Sequence, residues 1–406
     1  MRLYSRAPVC AFLALAWPLL GQAQDWTEDR VIEKFLDQSP FVREARARSA
    51  AVRAESAGRT LLPNPSAALT REGAGYAAFY QIEQQLPITG RRGLLKQAGV
   101  AAVGATEAES AALLWSLRSD VRLAFYRLLT NQRREVAIGE GLRDLEEVIR
   151  VLRTREQEGE GSRYDRLRAE RELAEYRSQL AIARTDVAQA RAAISAFLPR
   201  ATLVDRVAGN LDTTAIVPPM DSLLQRALAH RSEFLAEQRQ IERYRLEGRA
   251  AERLRYPEPI ATAGVKRGDV APGIRETASA IGITIPLPLF NKGQTEVARW
   301  RAEQDRATAR QSALERRIRA EVAGAAEALQ LRKAAVMQYR SEVNQLGVDL
   351  SRITRLAYQE GEVGILELLD SYRVTRQSSL RLLELEALAK EAQIELDRAV
   401  GEEVLP

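Results

Sequence analysis

The sequence predicts a mainly α protein with some β structure, elongated and built from two tandem repeats, each a β-hairpin followed by a long helical hairpin. Three observations predict it. The stretch EGEGSRYDRL, Glu158 to Leu167, returns 202 residues later as EGEVGILELL, Glu360 to Leu369, and each copy interrupts a heptad pattern with glycine before the pattern restarts. The arms beside the two copies match: 72 residues from Leu86 to Glu158 against 73 from Leu287 to Glu360, then 41 from Glu158 to Pro199 and 41 from Glu360 to Gly401. At 1.5 Å per residue each long arm reaches roughly 100 Å, a dimension no single compact core has.

At the N-terminus, Arg2 and Arg6 precede an apolar run from Val9 to Leu20, and Gly21-Gln22-Ala23 supplies small residues at a cleavage site. Residues 1–23 read as a secretory signal, too short for a membrane span, with the mature chain starting near Gln24. The only cysteine, Cys10, lies inside that signal, so neither a disulfide nor a lipid anchor on cysteine is expected. Two of the 60 basic residues go with the leader, leaving 58 against 55 acidic ones without a basic block, which gives nucleic-acid binding no support. Beyond residue 23 no run approaches 18 apolar residues, so a membrane could be crossed only by β-strands.

The first repeat, 24–199, opens with a helical pattern from Thr27 to about Leu62 that stops at Pro63-Asn64-Pro65. Proline lacks the amide that would continue the ladder. Two strands follow at about 66–86, Ser66 to Glu72 and Phe79 to Leu86, joined by a loop with Gly73 and Gly75. In the second, Tyr80, Ile82 and Leu86 oppose Gln81, Glu83 and Gln85, the pattern of a barrel strand between lipid and water. A helix from about Arg91 to Gln157 carries apolar residues stepped by three and four, including Val121, Leu128, Ile138, Leu145 and Leu152. After a tip at about 158–164 the returning helix repeats the rule at Leu173, Tyr176, Val187 and Ile194.

An irregular connector, 200–220, leads to the second repeat, 221–406, where the programme starts again. A helix from Asp221 to Arg255 stops at Tyr256-Pro257-Glu258-Pro259; strands at about 260–286 follow, Ile260 to Arg267 and Ala278 to Ile285. A helix from about Gly293 to Tyr358 bears a seam at Val336, Tyr339, Val343, Leu346, Leu350, Ile353 and Ala357, then come a tip at about 359–366 and a last helix to Val400. The repeats differ chiefly between proline stop and strand end, 23 residues from Pro63 to Leu86 against 30 from Pro257 to Leu287, a change assigned to the hairpin loop. The returning and leading helices together equal one long arm, so two short helices end to end could flank each long one.

His230 is the only histidine, and Met220 and Met337 are the only methionines after the leader, so a metal site of soft ligands is not available. No nucleophile and base pair or phosphate loop stands out, which argues against an enzyme or a cofactor. The LPITG run, Leu86 to Gly90, matches a sortase signal but lies mid-chain with no apolar tail, and is set aside.

The LLPNP stop, the duplicated strand-to-helix junctions and the glycine tips resemble TolC-type outer-membrane efflux proteins over essentially all of the mature chain. More narrowly, IPLPLFNKGQTEVARWRAEQ (Ile285 to Gln304) and AYQEGEVGILELLDSYR (Ala357 to Arg373) resemble the cobalt-zinc-cadmium branch. The resemblance implies a homotrimer in the outer membrane of a Gram-negative bacterium. Each protomer would give four strands to a shared lipid-embedded barrel and two hairpins to a periplasmic helical tunnel. It would pass divalent heavy-metal cations from an inner-membrane, proton-driven pump of the resistance-nodulation-division type. Four strands cannot close a barrel alone, so oligomerisation is also a physical need.

The resemblance further implies that a periplasmic adaptor, or membrane fusion protein, docks at Glu158, Gly159 and Glu160 and at Glu360, Gly361 and Glu362. It implies a periplasmic gate made of a hydrogen-bonded latch between the hairpins, Asp165 to Tyr358, and an acidic pair, Glu367 and Asp370, at i, i+3 spacing on one helix face. Six such carboxylates around a threefold axis would repel one another and favour bound cations. One departure is Val363, which stands where an arginine makes a gating contact in the best-known family member. Two further readings are a duct of the same fold for drugs, organic compounds or type I protein secretion, and a periplasmic coiled-coil scaffold or adaptor.

Overall fold

The computed structural model describes residues 25–73, 77–200, 202–271 and 274–405. The expected leader, Cys10 and Gly75 lie outside the described residues. The first half runs α1 (Glu28–Gln38), α2 (Pro40–Gly58), β1 (Ser66–Glu72), β2 (Ala77–Gln85), α3 (Arg91–Gln157) and α4 (Arg163–Ser195). The second runs α5 (Met220–His230), α6 (Ser232–Glu252), β3 (Ile260–Ala271), β4 (Ile274–Thr284), α7 (Gln294–Tyr339), α8 (Gln345–Glu360) and α9 (Ile365–Val400).

Each expected leading helix is in fact two. The stretch from Thr27 to Leu62 breaks at Ser39, whose hydroxyl caps α2 while Pro40 takes its first position, where a missing amide costs nothing. The stretch from Asp221 to Arg255 breaks at Arg231 with no breaker residue in sight. There the cause is tertiary: the buried Arg231 side chain reaches Glu233, Glu321 and the carbonyl of Ala399, and the backbone turns to deliver it. The second long arm also departs from a plain helix, since a π-helical turn, Arg340–Asn344, separates α7 from α8. The 46, 5 and 16 residues of these segments together equal the 67 of α3.

The strands form one antiparallel sheet in the order β1-β2-β3-β4, joining the two halves through β2 and β3. β3 and β4 have 12 and 11 residues against 7 and 9 in the first hairpin. The length difference assigned to a loop therefore lies largely in paired strand. Register places Ala67, Ile82, Ala263 and Ile281 in one row, with Leu69, Tyr80, Val265 and Ser279 in the next. On the opposite face the rows are Ser66, Glu83, Thr262 and Gly282, then Ala68, Gln81, Gly264 and Ala280. Over these rows the first face is apolar but for Ser279 and the second polar or small; nearer the hairpin loops the first face turns polar, with Arg71, Ala78, Arg267 and Thr277 in one row.

The helices form a curved wall. α3 touches α2 and α4 on one side and α6 and α9 on the other, and α7 touches α6 and α9. Short helices thus stack end to end beside the long ones, α2 with α4 and α6 with α9, as the residue counts require. No common core runs through this shape; buried side chains gather in clusters near the strands, at mid-length and at the tips. The mid-length girdle is the broadest, where α1, α5 and the connector pack on α3, α4, α7 and α9, with Phe35, Phe125, Ile194 and Leu223 fully buried.

An ion-pair hub ties this girdle together. Arg122 of α3, 5% exposed, donates to Glu28 of α1 at 2.5 Å and to Asp397 of α9 at 2.7 Å, and Tyr126 donates to Glu28. Asp397 is fully buried, also accepts from the amide of Val404, and has its carboxyl pushed above the usual range by burial. Removing one partner of such a pair leaves an uncompensated buried charge. Arg122→Ala is expected to cost about 3–5 kcal/mol, read as a lower thermal midpoint by circular dichroism, whereas Arg48→Ala, in the exposed Arg48 and Glu109 pair, costs less than about 1 kcal/mol and moves the midpoint little.

Candidate functional site at the hairpin tips

Both outgoing arms end in the same Schellman cap. At the end of α3 the amide of Glu160 donates to the carbonyl of Arg155 at 2.9 Å and that of Gly159 to Glu156 at 3.2 Å. At the end of α8 the amide of Glu362 donates to Ala357 at 2.9 Å and that of Gly361 to Tyr358 at 3.2 Å. Such a cap needs a left-handed residue, and Gly159 and Gly361 have φ of 81° and 79°. The flanking Glu158, Glu160, Glu360 and Glu362 are all exposed. Two acidic, solvent-facing turns of one geometry therefore sit at the end of the wall remote from the strands.

The tips then diverge. Ser162 caps α4 by accepting from the amide of Tyr164, while α9 starts at Gly364 with no side-chain cap. At Gly161 a Cβ would come within 2.7 Å of the Glu156 amide nitrogen, so the first turn is closed more tightly than glycine's neighbours alone require. Arg166 bridges to Glu156 at 2.5 Å and to Glu170 at 2.9 Å, and Arg153 reaches Glu170 at 2.8 Å. These bonds hold the Glu170 carboxyl below its ordinary value, those of Arg153 and Arg166 leading. The ladder stitches α3 to α4.

Asp165 and Glu367 occupy matching places in the first turns of α4 and α9, where a negative charge also suits the helix dipole. Tyr358 packs against the apolar cluster that joins the two hairpins, formed by residues such as Leu152, Leu173, Ile365 and Leu368. Burial raises the Tyr358 phenol, the Arg155 guanidinium 5.7 Å above its ring opposes this, and the Asp165 charge adds to the rise. Asp165 and Tyr358 thus share one electrostatic neighbourhood; among the described residues no hydrogen bond joins them. Glu367 and Asp370 are both exposed on one face of α9, flanked by the buried Ile365, Leu368 and Leu369. Asp370 is paired with Arg373, one turn on.

Sequence reasoning missed three participants: Arg155 over Tyr358, the Arg166 ladder, and Arg373 as the partner of Asp370. The ladder had a signal, because folding the sequence about Gly161 sets Glu156 opposite Arg166, Glu146 opposite Arg177 and Glu135 opposite Arg184, all of which are ion pairs. Among the described residues no cluster of three or more His, Cys, Asp or Glu could hold a metal, and no helix is long and apolar enough to cross a membrane. His230 pairs with Glu402 on the girdle, and Met220 and Met337 lie on α5 and α7.

The shape decides the comparison with solved structures. CusC, whose structures report folding and transmembrane channel formation, superposes with a TM-score of 0.73 at 19% identity, covering 98% of this chain and 99% of that one. The open state of the Neisseria gonorrhoeae MtrE outer-membrane channel gives 0.73 at 20% identity over 93% and 89%. The fold is that of the TolC-type outer-membrane channels. By sequence, the cobalt-zinc-cadmium resistance protein CzcC of Cupriavidus metallidurans is 24% identical over 312 residues, 75% of this chain and 73% of that protein. No protein-family model matches.

The tips are the end of the wall remote from the strands, and the two glycine caps set the shape of their turns. Gly159→Val and Gly361→Val each force a β-branched residue into the left-handed region, a cost of about 1–2 kcal/mol. The expected outcome is faster amide hydrogen exchange confined to the affected tip, with exchange in the girdle unchanged.

Proposed function

We propose that the chain is one protomer of a homotrimeric exit duct in the outer membrane of a Gram-negative bacterium, serving a tripartite efflux system that exports divalent heavy-metal cations. The observation that carries this reading is the sheet. Its apolar rows are open, with Ile281 88% and Ile283 69% exposed, its other face carries polar and small residues, and among the described residues its edge strands β1 and β4 are paired on one side only. In lipid every backbone group must be paired, so such a sheet closes only by joining copies of itself edge to edge.

The helices agree. The seam on the second arm, which the heptad pattern marks as a packing surface, faces solvent at Val343, Leu346, Leu350 and Ile353, whereas Val121, Leu128, Ile138, Leu145 and Leu152 of the first arm are buried. An apolar stripe of that length is covered when a neighbouring copy supplies the next helix of the tunnel. A periplasmic scaffold leaves the apolar sheet face without a purpose.

The cargo rests on the likeness to CzcC, a cobalt-zinc-cadmium resistance protein. With no soft-ligand cluster among the described residues, the duct passes cations without binding them tightly, and an inner-membrane proton-driven pump does the selecting. Repeats 24–199 and 221–406, joined by the connector 200–220, each supply one tip. The acidic turns at Glu158 to Glu160 and Glu360 to Glu362 dock the periplasmic adaptor. Asp165 and Tyr358 restrain the second hairpin against the first, and Glu367 with Asp370 narrows the mouth, Arg373 sharing the Asp370 charge.

Two experiments test this. Deleting the gene is expected to sensitise cells to zinc, cobalt and cadmium with little change toward a drug panel, and the protein should fractionate with the outer membrane as a heat-sensitive oligomer. A soluble periplasmic monomer overturns the reading. For the latch, Asp165→Ala or Tyr358→Phe is expected to favour the open state, seen as higher conductance of the purified oligomer in planar bilayers. Unchanged conductance counts against the latch.

A further inference from the structure

About one third of the way up from the tips, three elements that meet nowhere in sequence share one contact. The guanidinium of Arg376 on α9 lies over the ring of Tyr176 on α4, 3.5 Å from its centroid. The same group fills a notch in α3: a Cβ at Gly141 would fall 2.6 Å from Arg376 Nη1 and 2.9 Å from Tyr176 Cε1. Only glycine leaves room for the stack. α3 and α4 belong to the first hairpin and α9 to the second, so the contact crosses between hairpins.

The chemistry is unusual for a merely structural side chain. Arg376 Nη1 is buried and has no hydrogen-bond partner. Burial pulls the guanidinium below its ordinary value, and the Tyr176 ring with the charges of Glu172 and Asp144 offsets this only in part. A cation held on an aromatic face without a bonded carboxylate keeps its place through stacking and shape, and stacking of a desolvated cation is worth more than at the surface. Clefts of about 1210 and 250 Å³ open on its two sides, both lined by Arg376 and Tyr176. Space to leave is therefore at hand. So are other seats, because Glu172 lies one turn from Tyr176 along α4 and Asp144 lies three residues from Gly141 along α3.

We propose that Arg376 is a pin that holds the second hairpin in register against the first, and that withdrawing it from the Gly141 notch is a required step of opening. The pin rests on the channel reading above and goes beyond the tip latch, from which it differs in position, partners and chemistry. A slide of α9 by one turn breaks the stack on Tyr176 outright, since the notch is one residue wide, and lets the guanidinium trade the ring for a carboxylate. The contact therefore discriminates between two alignments instead of resisting motion gradually.

The test is the conductance of purified full-length oligomer in planar bilayers, with the heat-sensitive oligomer on gels as the check of assembly. Arg376→Met keeps the bulk and removes the charge; a packing role predicts wild-type conductance, whereas the pin predicts a roughly thirtyfold larger open-to-closed ratio, the size of one lost desolvated stack. Tyr176→Phe keeps the ring face and is expected to conduct like wild type, while Tyr176→Leu is expected to match Arg376→Met. The double variant Arg376→Met with Tyr176→Leu should be no more open than either alone, because both remove one contact. Gly141→Ala reads the same contact from the opposite wall should an Arg376 variant fail to assemble. Wild-type conductance in assembled Arg376→Met or Gly141→Ala, or additive effects in the double variant, overturns the pin. Absence of any conductance from the wild-type oligomer overturns the channel reading and the pin with it.

Discussion

The sheet formed by β1 to β4 is the constraint on which the rest of the structure depends. Its antiparallel pairing satisfies the backbone between neighbours but, among the described residues, leaves the outer edges of β1 and β4 without a partner strand. Its register sorts side chains so cleanly that every residue in the row of Ala67, Ile82, Ala263 and Ile281 is apolar. Water does not require such a face and lipid does not tolerate such edges. On the proposed reading the unit of folding is larger than the chain, and the exposed seam on α8 follows from the same incompleteness. A barrel closed by several copies would set a circumference, and the helices below would complete a ring around that same axis.

That geometry explains the matched lengths. A hollow wall has no common core, so each helix is stabilised by its lateral neighbours, and a long helix needs neighbours along its whole length. Stacking α2 on α4 and α6 on α9 supplies them, and the breaks between stacked helices fall where the girdle is broadest. The girdle carries the costliest polar burial in the chain, Arg122 with Asp397 and Glu28, and the break at Arg231 points a second arginine to the end of α9. Both arginines fasten α9, the helix that descends from the girdle to the second tip. Buried pairs contribute little net stability but strongly disfavour alternative registers, which suits a helix whose far end must find a defined place.

Much of this was legible in the sequence because the signals were periodic or local. Alternation in β2, the heptad steps of α3 and α4, the proline stops at Pro63 and Pro257 and the positive-φ glycines of both tips each reflect the chain within a few residues. The break at Pro40 was equally local, yet the surrounding helical pattern masked it. What was not legible came from tertiary geometry. Nothing near Arg231 breaks a helix; burial of its side chain does. The α8 seam has the same pattern as the seam of α3, and periodicity cannot tell which is covered by the same chain and which by another. Gly141, Tyr176 and Arg376 come together only once the rotation of each helix about its own axis is known.

The two hairpins are alike in length and unlike in how they are held. The first is closed by Ser162, by the tight turn at Gly161 and by ion pairs spaced along α3 and α4 at Glu156, Glu146 and Glu135. Along the second, Arg340 with Glu386 is the cross-hairpin ion pair among the described residues, α9 starts without a side-chain cap, and α8 packs chiefly on α9. The π-helical turn between α7 and α8 interrupts the regular ladder of hydrogen bonds at the point where the lower part of the arm leaves the α7 register. On the proposed channel reading, a first hairpin held by more ion pairs and a second held by fewer, joined by an apolar tip cluster and by two stacked arginines, Arg155 over Tyr358 and Arg376 over Tyr176, would concentrate relative motion in the second hairpin. The first would then act as the fixed wall against which the second moves, with α9 carrying the Arg376 contact between hairpins while its far end is fastened in the girdle by Arg122 and Arg231.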